Sequence, residues 1–386
     1  MPYLGTVFSE ISARALQLLD QHAGVADLAA LNMQLRKAGE AVSDITWVLQ
    51  QLELRRKAEA KLGNRADSLL FTRNGLEQAS RWSVARYHAQ RLAGLESVAD
   101  LGCGLGVDSL AFAEAGLRVV AVEQDPETVE LTQRNLLGKA KAICESAEQH
   151  EITTRAVYLD PARRDLAGRY DSRKLLTPDD FSPSLTFSFE LLQRYPGGIK
   201  LAPGLPHELI PMGVEATWVS HNRDLVELGL WSVDADRMDK RYAVMLGADR
   251  KVEFTGPVVP GEVGEMSRFV YEPDPALIRS GLLGAFAKEH GLKLIASEIA
   301  YLTSNEIVDS PWLRRFEVLE QLPLDRKLLR EKMVERGIGR LEIKKRGVDI
   351  DPAALRKELK LKGEGAATLI LTRVGDARKA LVCTDC

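Results

Sequence analysis

Apolar residues recur at every third or fourth position through the first quarter of the chain, a pattern that predicts helices. The pattern appears in ALQLLDQ, LAALNMQLRKAGEA and ITWVLQQLELRRKAEAKLG, and again in LEQASRWSVARYHAQRL after a turn at 69–75. We therefore predict an N-terminal helical region over residues 1–92. The first 65 residues show no pattern of catalytic side chains, so we interpret them as a helical cap or a docking surface.

Between residues 93 and 250, short apolar runs alternate with helical stretches. This alternation is typical of a parallel sheet with helices on both faces. Strands are predicted in VADL, RVVAV, AKAICESAEQ, AVYLDPARRD, GGIKLAPGL, ATWVSHNRDLVELGLW and RYAVMLGA. The sixth of these runs also includes a helix or a turn. We take residues 93–250 as one α/β domain.

Two different patterns complete the chain. Residues 251–315 contain scattered Pro and Gly and one amphipathic helix, DPALIRSGLLGAFAKEHG, so we interpret them as a connecting unit. Residues 316–386 predict a small α+β domain with the element order βαβαββ. Asp325 is placed to cap its first helix, and the Gly-Asp pair at 375–376 is placed to turn a closing hairpin.

The composition is that of a globular protein and excludes some other classes. At 386 residues, 45% of them hydrophobic, the chain is long enough for two or three domains. No apolar run reaches the ~18 residues that span a bilayer. The first stretch, MPYLGTVFSEISARA, lacks the pattern of a signal peptide. We therefore expect a cytoplasmic protein with no membrane partner.

The four cysteines are too few for a disulfide framework in a chain of this length. Cys383 and Cys386 form a C-x-x-C at the end of the sequence. A zinc site needs about four ligands, and no second pair lies nearby. We therefore expect a frayed tail and no metal ion. Nothing in the sequence indicates an oligomeric state.

A glycine-rich turn joins the first two predicted strands of the α/β domain. Gly102, Gly104 and Gly106 allow the backbone to approach a ligand closely. Asp100 precedes them and Glu123 ends the second strand, as in the first half of a nucleotide-binding unit. The spacing G-x-G-x-G differs from the dinucleotide pattern G-x-G-x-x-G, and the Gly-Lys-Ser/Thr of a phosphate loop is absent. The alternative is a glycine turn with no ligand, which any α/β protein can contain.

This stretch resembles motif I of the class I S-adenosylmethionine-dependent methyltransferases, whose pattern is acid-x-G-x-G-x-G. The resemblance implies a Rossmann-like seven-stranded methyltransferase sheet, with RYAVMLGA as its antiparallel partner, and S-adenosylmethionine as the cofactor. It also implies that Glu123 binds the ribose hydroxyls, that Ser146 lies near the adenine edge, and that Thr72 and Arg73 cover the cofactor. The candidate cofactor-binding residues are Thr72, Arg73, Asp100, Gly102, Cys103, Gly104, Gly106, Glu123, Gln124, Ser146 and Ala147.

Asp160-Pro161-Ala162-Arg163 follows the fourth predicted strand, where class I enzymes place catalytic motif IV. The amino-methyltransferases that it resembles carry D/N/S-P-P-aromatic, whose acid binds an amine and whose aromatic ring stacks on the base. The aromatic residue is missing here, which argues against a flipped adenine. The guanidinium of Arg163 or Arg164 can stack on a base or bind a phosphate. A loop-opening Asp-Pro turn and surface arginines are the alternatives.

The sixth predicted strand contains Val219-Ser220-His221-Asn222. The uracil-5 RNA methyltransferases, which this chain resembles here, carry D-P-P-R at motif IV and V-S-C-N on the sixth strand, where the cysteine is the nucleophile. Covalent attack on a pyrimidine needs a thiolate, because sulfur both adds and leaves readily. We therefore predict methyl transfer without a covalent cysteine intermediate. His221 is a candidate base or hydrogen-bond donor, and a structural histidine is an equal alternative.

The C-terminal part of this acidic chain is basic. Residues 321–386 contain 16 Lys and Arg against 10 Asp and Glu, whereas the whole chain has a net charge of −3. A polyanion partner suits such a module. Lys344, Lys345 and Arg346 are the candidate contacts, and a solvated charged face is the alternative. The run IKKRG-x6-ALRKELKLKG-x5-LILTRVG resembles the α+β (ferredoxin-like, THUMP-like) domain of a bacterial methyltransferase family, which implies RNA binding.

Together these features predict an S-adenosylmethionine-dependent methyltransferase that acts on RNA, at a base nitrogen of tRNA or rRNA. The candidate catalytic residues are Asp160, Pro161, Arg163 and His221. A methyltransferase for a protein or a small molecule is one alternative, and a non-catalytic RNA-binding protein on the same fold is another. The intact glycine turn and its flanking acids argue against the last, since a binding module does not need a cofactor pocket.

Overall fold

The structure is a computed structural model that describes residues 11–163, 180–247 and 250–386. The chain divides into two compact units. The first unit comprises residues up to 201 together with 205–214 and 229–238. The second unit comprises residues 202–204, 215–228 and 239–386.

The elements of both units are numbered here in chain order. The helices are α1 (Ala13–Gln21), α2 (Leu28–Lys37), α3 (Val42–Leu62), α4 (Arg73–Gln78), α5 (Trp82–Arg91), α6 (Val107–Glu114), α7 (Pro126–Asn135), α8 (Leu185–Arg194), α9 (Pro275–Arg279), α10 (Leu283–Glu289), α11 (Arg326–Glu335) and α12 (Pro352–Leu359). The strands are β1 (Ser97–Leu101), β2 (Arg118–Glu123), β3 (Lys141–Cys144), β4 (Ala156–Leu159), β5 (Ala162–Arg163), β6 (Phe181–Ser182), β7 (Gly197–Leu201), β8 (Glu215–His221), β9 (Asp224–Trp231), β10 (Arg241–Leu246), β11 (Lys251–Thr255), β12 (Phe269–Pro273), β13 (Lys293–Ala296), β14 (Ile299–Ser304), β15 (Leu313–Pro323), β16 (Ile338–Lys345), β17 (Gly365–Val374) and β18 (Ala377–Asp385).

Helices α1–α5 form the predicted N-terminal helical region. The side chains of Ser12 and Asp27 cap α1 and α2 by accepting hydrogen bonds from N–H groups of the first turn. Apolar side chains of these helices, such as Leu18, share one core with Phe112 of α6 and Tyr158 of β4. The helices are therefore packed onto the α/β part of the first unit through a common core.

The first unit contains the predicted parallel sheet. Its strand order is β7–β4–β1–β2–β3, continued beside β7 by the end of β9. The neighbouring pairs β1–β2, β1–β4, β2–β3 and β4–β7 are all parallel. Every residue of β1 and β4 is buried, as expected for strands covered on both faces. Because the strands are parallel, their carboxyl ends lie along one edge, which positions the candidate site.

The second unit begins with β8, β10 and most of β9. RYAVMLGA forms a strand, β10, but the expected antiparallel pairing is wrong because β10 runs parallel to β8. The antiparallel neighbour of β10 is β11. The sixth predicted run holds two strands, β8 and β9, joined by a turn at Asn222 and Arg223, both with positive φ. Alternating hydrophobicity reveals a strand, but it does not reveal the direction of its partner.

A second sheet occupies the rest of the second unit. Its order is β13–β14–β12–β15–β18–β17–β16, so residues of 251–315 and of 316–386 share one sheet. One apolar cluster joins α11 and α12 to β16, β17 and β18. A second cluster joins β12, β13 and β14 to β15, β17 and β18.

The C-terminal segment has the predicted order βαβαββ, with Asp325 as the cap of α11. Two other expectations are wrong. DPALIRSGLLGAFAKEHG forms two short helices, α9 and α10, because Gly281 adopts a φ of +79° between them. The expected frayed tail is strand β18, which pairs with β15 and β17. Within the described ranges, no helix is long and apolar enough to cross a membrane.

Candidate functional site

The glycine turn connects β1 to α6 at the carboxyl edge of the first unit's sheet. Gly102, Gly104 and Gly106 have φ values of +83°, +52° and +77°, a region that favours glycine. The N–H groups of Gly102 and Cys103 donate to Val122 O at 2.8 and 3.0 Å, which holds the turn against β2. A Cβ on Gly106 would lie 2.8 Å from a side chain of α7, whereas the space beside Gly104 is open. The turn is therefore tightly packed where α6 begins and leaves room for a ligand at its centre.

Glu123 ends β2 beside the glycine turn. Its Oε2 accepts a hydrogen bond from Gly104 N–H at 3.1 Å, and its Oε1 accepts one from Asp125 N–H at 3.0 Å. Glu145 N–H donates to Glu123 O at 3.0 Å, so the end of β3 lies next to the end of β2. Ser146, the next residue, is half-buried. The structure thus brings the turn, Glu123 and the segment containing Ser146 together.

Three more candidate residues follow the same strand ends. Cys103 lies within the glycine turn, Gln124 is exposed after β2, and Ala147 is buried after β3. Burial raises the pKa of the Cys103 thiol well above its usual value, and the charges of Asp100 and Glu123 act in the same direction. The thiol therefore stays protonated at neutral pH and is not a nucleophile.

Two amide side chains, which no motif indicates, hold residues 70 and 71 in place. Gln51 donates to Phe71 O at 2.8 Å and accepts from Phe71 N–H at 2.9 Å. Asn135 bonds in the same way to both backbone groups of Leu70, and it also donates to Leu105 O in the glycine turn. Both amides are buried. Their partners are distant in sequence, so no local pattern could indicate them.

Thr72 and Arg73 begin α4 directly after this tied segment. The Thr72 hydroxyl caps the helix by accepting a hydrogen bond from Gly75 N–H at 3.0 Å. A Cβ on Gly75 would lie 2.8 Å from a side-chain carbon of Leu105, so α4 packs against the glycine turn. Arg73 is exposed. The structure places both residues beside the turn, with the Thr72 oxygen engaged in the cap.

Asp100 lies in β1 and is almost fully buried. The Ser109 hydroxyl donates a hydrogen bond to Asp100 Oδ2. The pKa of Asp100 is raised to about 8, mainly by burial and also by the charges of Asp108 and Asp160, while Ser109 and Lys200 oppose the shift. The acid before the glycine turn therefore holds a proton near neutral pH. A cationic ligand group nearby would favour release of this proton from Asp100.

Asp160 follows β4 at the same edge of the sheet. A Cβ on Gly102 would lie 3.7 Å from Asp160 O, so motif IV and the glycine turn are neighbours. Lys200 Nζ of β7 pairs with Asp160 Oδ2 at 2.6 Å. The Asp160 side chain is 33% exposed and that of Lys200 is 13% exposed. Pro161, the next residue, is buried. The carboxylate is therefore held from inside the protein and reachable from outside.

A polar cluster that the motifs do not reveal lies behind this ion pair. Ser80 accepts a hydrogen bond from Lys200 Nζ at 3.1 Å and donates one to Asp108 Oδ2 at 2.7 Å. Asp108 Oδ1 lies 2.7 Å from Nδ1 of His88, which lies 2.9 Å from the Tyr158 hydroxyl. Burial raises the pKa of Asp108, but the charge and hydrogen bond of His88, with help from Lys200 and Ser80, lower it to about 2.

The remaining candidate catalytic residues, Arg163 and His221, belong to different units. Arg163 belongs to β5, opposite Phe181 of β6. Arg164 lies outside the described residues. His221 ends β8, is half-buried and pairs in register with Leu246 of β10. It belongs to the second unit, whereas the glycine turn and motif IV belong to the first.

The three candidate RNA contacts have different surroundings. Lys344 Nζ pairs with Glu272 at 2.8 Å, and its side chain is only 18% exposed. Arg346 donates a hydrogen bond to Ala300 O. Lys345 is exposed, and its side chain has no partner among the described residues. Two of the three cations therefore stabilise the second unit from within.

Among the described residues, no three His, Cys, Asp or Glu side chains are grouped so as to hold a metal ion. Cys383 is buried in β18, and burial raises the pKa of its thiol to about 12. Cys386 is exposed. The C-x-x-C pair is thus divided between a sheet interior and the surface.

The chain is similar to known proteins over most of its length. The family described as THUMP domain-like matches residues 313–385. An uncharacterized S-adenosylmethionine-dependent methyltransferase of Mycobacterium tuberculosis is 34% identical over 346 residues, which cover 85% of this chain and 93% of that protein. The strains CDC 1551/Oshkosh and ATCC 25618/H37Rv give the same match.

Among solved structures, a candidate methyltransferase from Porphyromonas gingivalis W83 has a TM-score of 0.78 at 20% identity. The match covers 98% of this chain and 99% of that chain. This likeness shows a shared fold, whereas the mycobacterial relative shows the family. The chain belongs to the S-adenosylmethionine-dependent methyltransferases, with S-adenosylmethionine as its cofactor and a THUMP-like domain in its C-terminal part.

Proposed function

We propose that the protein methylates RNA, at a base nitrogen of tRNA or rRNA. The observation that carries the proposal is the THUMP domain-like match over residues 313–385, in one chain with a methyltransferase domain. Modules that resemble this one bind RNA in tRNA-modifying enzymes. The excess of Lys and Arg over Asp and Glu in residues 321–386 supports the same class of partner.

The residues at the carboxyl edge of the first sheet fit the cofactor. The space beside Gly104 is open, so the backbone there can receive the methionine part. The Glu123 carboxylate accepts two backbone N–H groups, which fix its orientation, and its remaining lone pairs can accept ribose hydroxyls. We assign the adenine edge to Ser146, which follows the residue whose N–H donates to Glu123 O, and the cover of the cofactor to α4, which packs against the turn. The bound cofactor supplies a methyl group that its sulfonium has already activated.

Asp160 is the residue that we assign to the methyl acceptor. The backbone of Asp160 lies next to the glycine turn, and its partly exposed carboxylate can accept a hydrogen bond from an N–H of the base. This hydrogen bond orients the nitrogen lone pair toward the methyl group, and the Asp160 carboxylate receives the proton as transfer proceeds. At the sequence position where the uracil-5 enzymes have a cysteine nucleophile this chain has His221, and the Cys103 thiol stays protonated. The proposed transfer is therefore direct.

Phosphate contacts require cations that are not already paired within the protein. Lys344 and Arg346 are engaged internally, so we assign RNA binding to Lys345, which is exposed, and to a further set, the α12 surface. The α12 surface consists of Arg356, Lys357, Lys360 and Lys362, which are exposed and have no side-chain partner among the described residues. Lys360 ends α12 with a φ of +46°, an uncommon conformation for a lysine.

The direct test of the activity is the transfer of labelled methyl from S-adenosylmethionine to separated RNA, protein and metabolite pools. We expect label in RNA. Asp160→Ala should reduce transfer by about 100-fold or more, with unchanged affinity for S-adenosylhomocysteine measured by calorimetry. Label confined to protein or to metabolites would refute the RNA proposal and favour the corresponding alternative.

The RNA contacts are tested by a triple variant, Lys357→Gln, Lys360→Gln and Lys362→Gln. It should bind RNA more weakly, with a smaller salt dependence, by roughly 0.7 in log–log slope per lost contact to single-stranded phosphate. The matched control removes three positive charges from exposed positions of the first unit: Lys37→Gln, Arg118→Gln and Lys141→Gln. Equal effects of the two variants would show that only net charge matters, and no effect would remove the assignment.

A further inference from the structure

Lys200 lies at the carboxyl end of β7, between motif IV and the buried polar cluster of the first unit. Its Nζ lies 2.6 Å from Asp160 Oδ2 on one side and 3.1 Å from the Ser80 hydroxyl on the other. The Lys200 side chain is 13% exposed and that of Asp160 is 33% exposed, so the ammonium group is shielded from water while the carboxylate stays reachable. Ion pairs at the surface of this unit differ in this respect: in the pair of Lys57 with Glu53 the two side chains are 58% and 43% exposed.

The ammonium group of Lys200 is itself held by buried groups. Ser80, which accepts its hydrogen bond, is 7% exposed and donates to Asp108 at 2.7 Å. Asp108 is in turn bonded to His88, which is fully buried between α5 and the sheet. The anchor of Lys200 therefore belongs to the rigid interior, and a lysine held at one end in this way has little freedom to move.

This arrangement has a chemical consequence for the Asp160 carboxylate. A carboxylate that pairs with an ammonium group acts as a hydrogen-bond acceptor and has no proton to donate. With Oδ2 bound to Lys200, the partly exposed carboxylate has a fixed orientation, and the backbone O of the same residue lies beside Gly102. A methyl acceptor that meets it must bring its own donor, such as an exocyclic amine or a ring N–H.

We propose that Lys200 is a positioning residue for methyl transfer: it fixes Asp160 as a hydrogen-bond acceptor and thereby selects acceptors that present an N–H. The inference rests on the proposed function, because it specifies how the motif IV acid meets its substrate. Lys200 contacts Asp160 and Ser80 and acts on the substrate through Asp160. Its loss should affect the rate of transfer and leave cofactor binding intact.

Four variants test this proposal on labelled methyl transfer to RNA: Lys200→Met, Lys200→Arg, Asp160→Asn and the double variant Lys200→Met/Asp160→Asn. Lys200→Met should lower kcat about tenfold or more, while the KM for S-adenosylmethionine and the affinity for S-adenosylhomocysteine change less than about twofold. Lys200→Arg keeps the charge and should recover most of the rate. The double variant should be no slower than Asp160→Asn, because residues that act through one contact are not additive. The matched control, Lys57→Met, breaks the exposed pair with Glu53 and should leave the rate unchanged.

Rate losses that multiply in the double variant would overturn the proposal, as would a Lys200→Met enzyme as fast as the Lys57→Met control. If the wild-type protein labels no RNA, the proposed function fails on its own. The positioning role is then decided by crystal structures of the wild type and of Lys200→Met with S-adenosylhomocysteine. A carboxylate of Asp160 that turns away in the variant supports the role of Lys200, and an unmoved carboxylate rejects it.

Discussion

At the scale of single residues, the proton on Asp100 gives a measurable property. Burial raises the pKa of Asp100 from 3.8 to about 8, so the folded protein holds a proton that the unfolded chain has already released. Between pH 3.8 and about 8 the unfolded state binds fewer protons than the folded state, so stability falls as the pH rises through this range. One such group changes the free energy of unfolding by at most ~1.4 kcal/mol per pH unit.

We expect Asp100→Asn, which stays neutral, to flatten this dependence. The measurement is urea unfolding at several pH values between 5 and 8, with Asp20→Asn on the exposed face of α1 as the control. A variant with the same slope as the wild type would show that another group causes it. Asp108 has the opposite shift, to about 2, so its stabilising effect is lost only as the pH falls toward that value.

Glu123 supports a second prediction at this scale. Glu123→Ala removes the acceptor proposed for the ribose and also releases the N–H groups of Gly104 and Asp125. Affinity for S-adenosylhomocysteine should fall by ~1.5–3 kcal/mol, as for hydrogen bonds to a charged group. Calorimetry measures this, with Glu127→Gln in α7 as the control. An affinity within twofold of the wild type would place the ribose elsewhere.

The candidate site shows which residues a sequence can indicate. Asp100, Glu123 and Asp160 stand in short motifs whose spacing reflects a strand, a turn and a helix, so they could be found without coordinates. Lys200 and Ser80 are 120 positions apart, and their contact depends on how β7 packs against the segment between α4 and α5. A spacing rule cannot indicate such a contact. The internal pairing of Lys344 escaped prediction for the same reason, since Glu272 is 72 positions away.

At the scale of elements, α4 and the residues before it depend on Asn135. This side chain makes three hydrogen bonds, to both backbone groups of Leu70 and to Leu105 O. Asn135→Ala should therefore loosen residues 69–72, with faster amide hydrogen exchange there and severalfold weaker binding of S-adenosylhomocysteine. Gln133→Ala on the exposed side of α7 is the control. Unchanged exchange at 69–72 would show that Gln51 and Arg55, which bond to Phe71 and to Leu69 O, hold the segment without Asn135.

The elements themselves were largely predictable, and the exceptions share a cause. Strands β1–β4 and β7 and helices α6 and α11 follow from apolar periodicity and capping residues, which are local properties. The parallel pairing of β10 and the pairing of β18 on both sides are tertiary properties. The break at Gly281 is a local property. Helices often tolerate a glycine inside an apolar pattern, however, so the sequence predicted one continuous helix there.

At the scale of the whole molecule, the second sheet includes strands that lie outside the residues matched by the THUMP domain-like family. The THUMP domain-like match begins at residue 313, yet β12 pairs with β15, and β12–β14 share an apolar cluster with β17 and β18. Deletion of residues 316–386 should expose this cluster. We expect the truncated chain to aggregate in size-exclusion chromatography and to bind a hydrophobic dye. A monodisperse truncated chain with the wild-type melting temperature would contradict this prediction.

The common core of α1–α5 and the first sheet has a consequence for how the chain is made. The helices, which end at Arg91, leave the ribosome before β1 and β4, and Tyr158 is among the last residues of that core to be synthesised. At a synthesis rate of ~5–20 residues per second, roughly 3–13 s pass between the synthesis of the helices and that of Tyr158, and during this time apolar faces of the helices are exposed. The nascent chain therefore passes through a period in which a chaperone at the exit tunnel would find a substrate, and slow codons between 92 and 158 would prolong it.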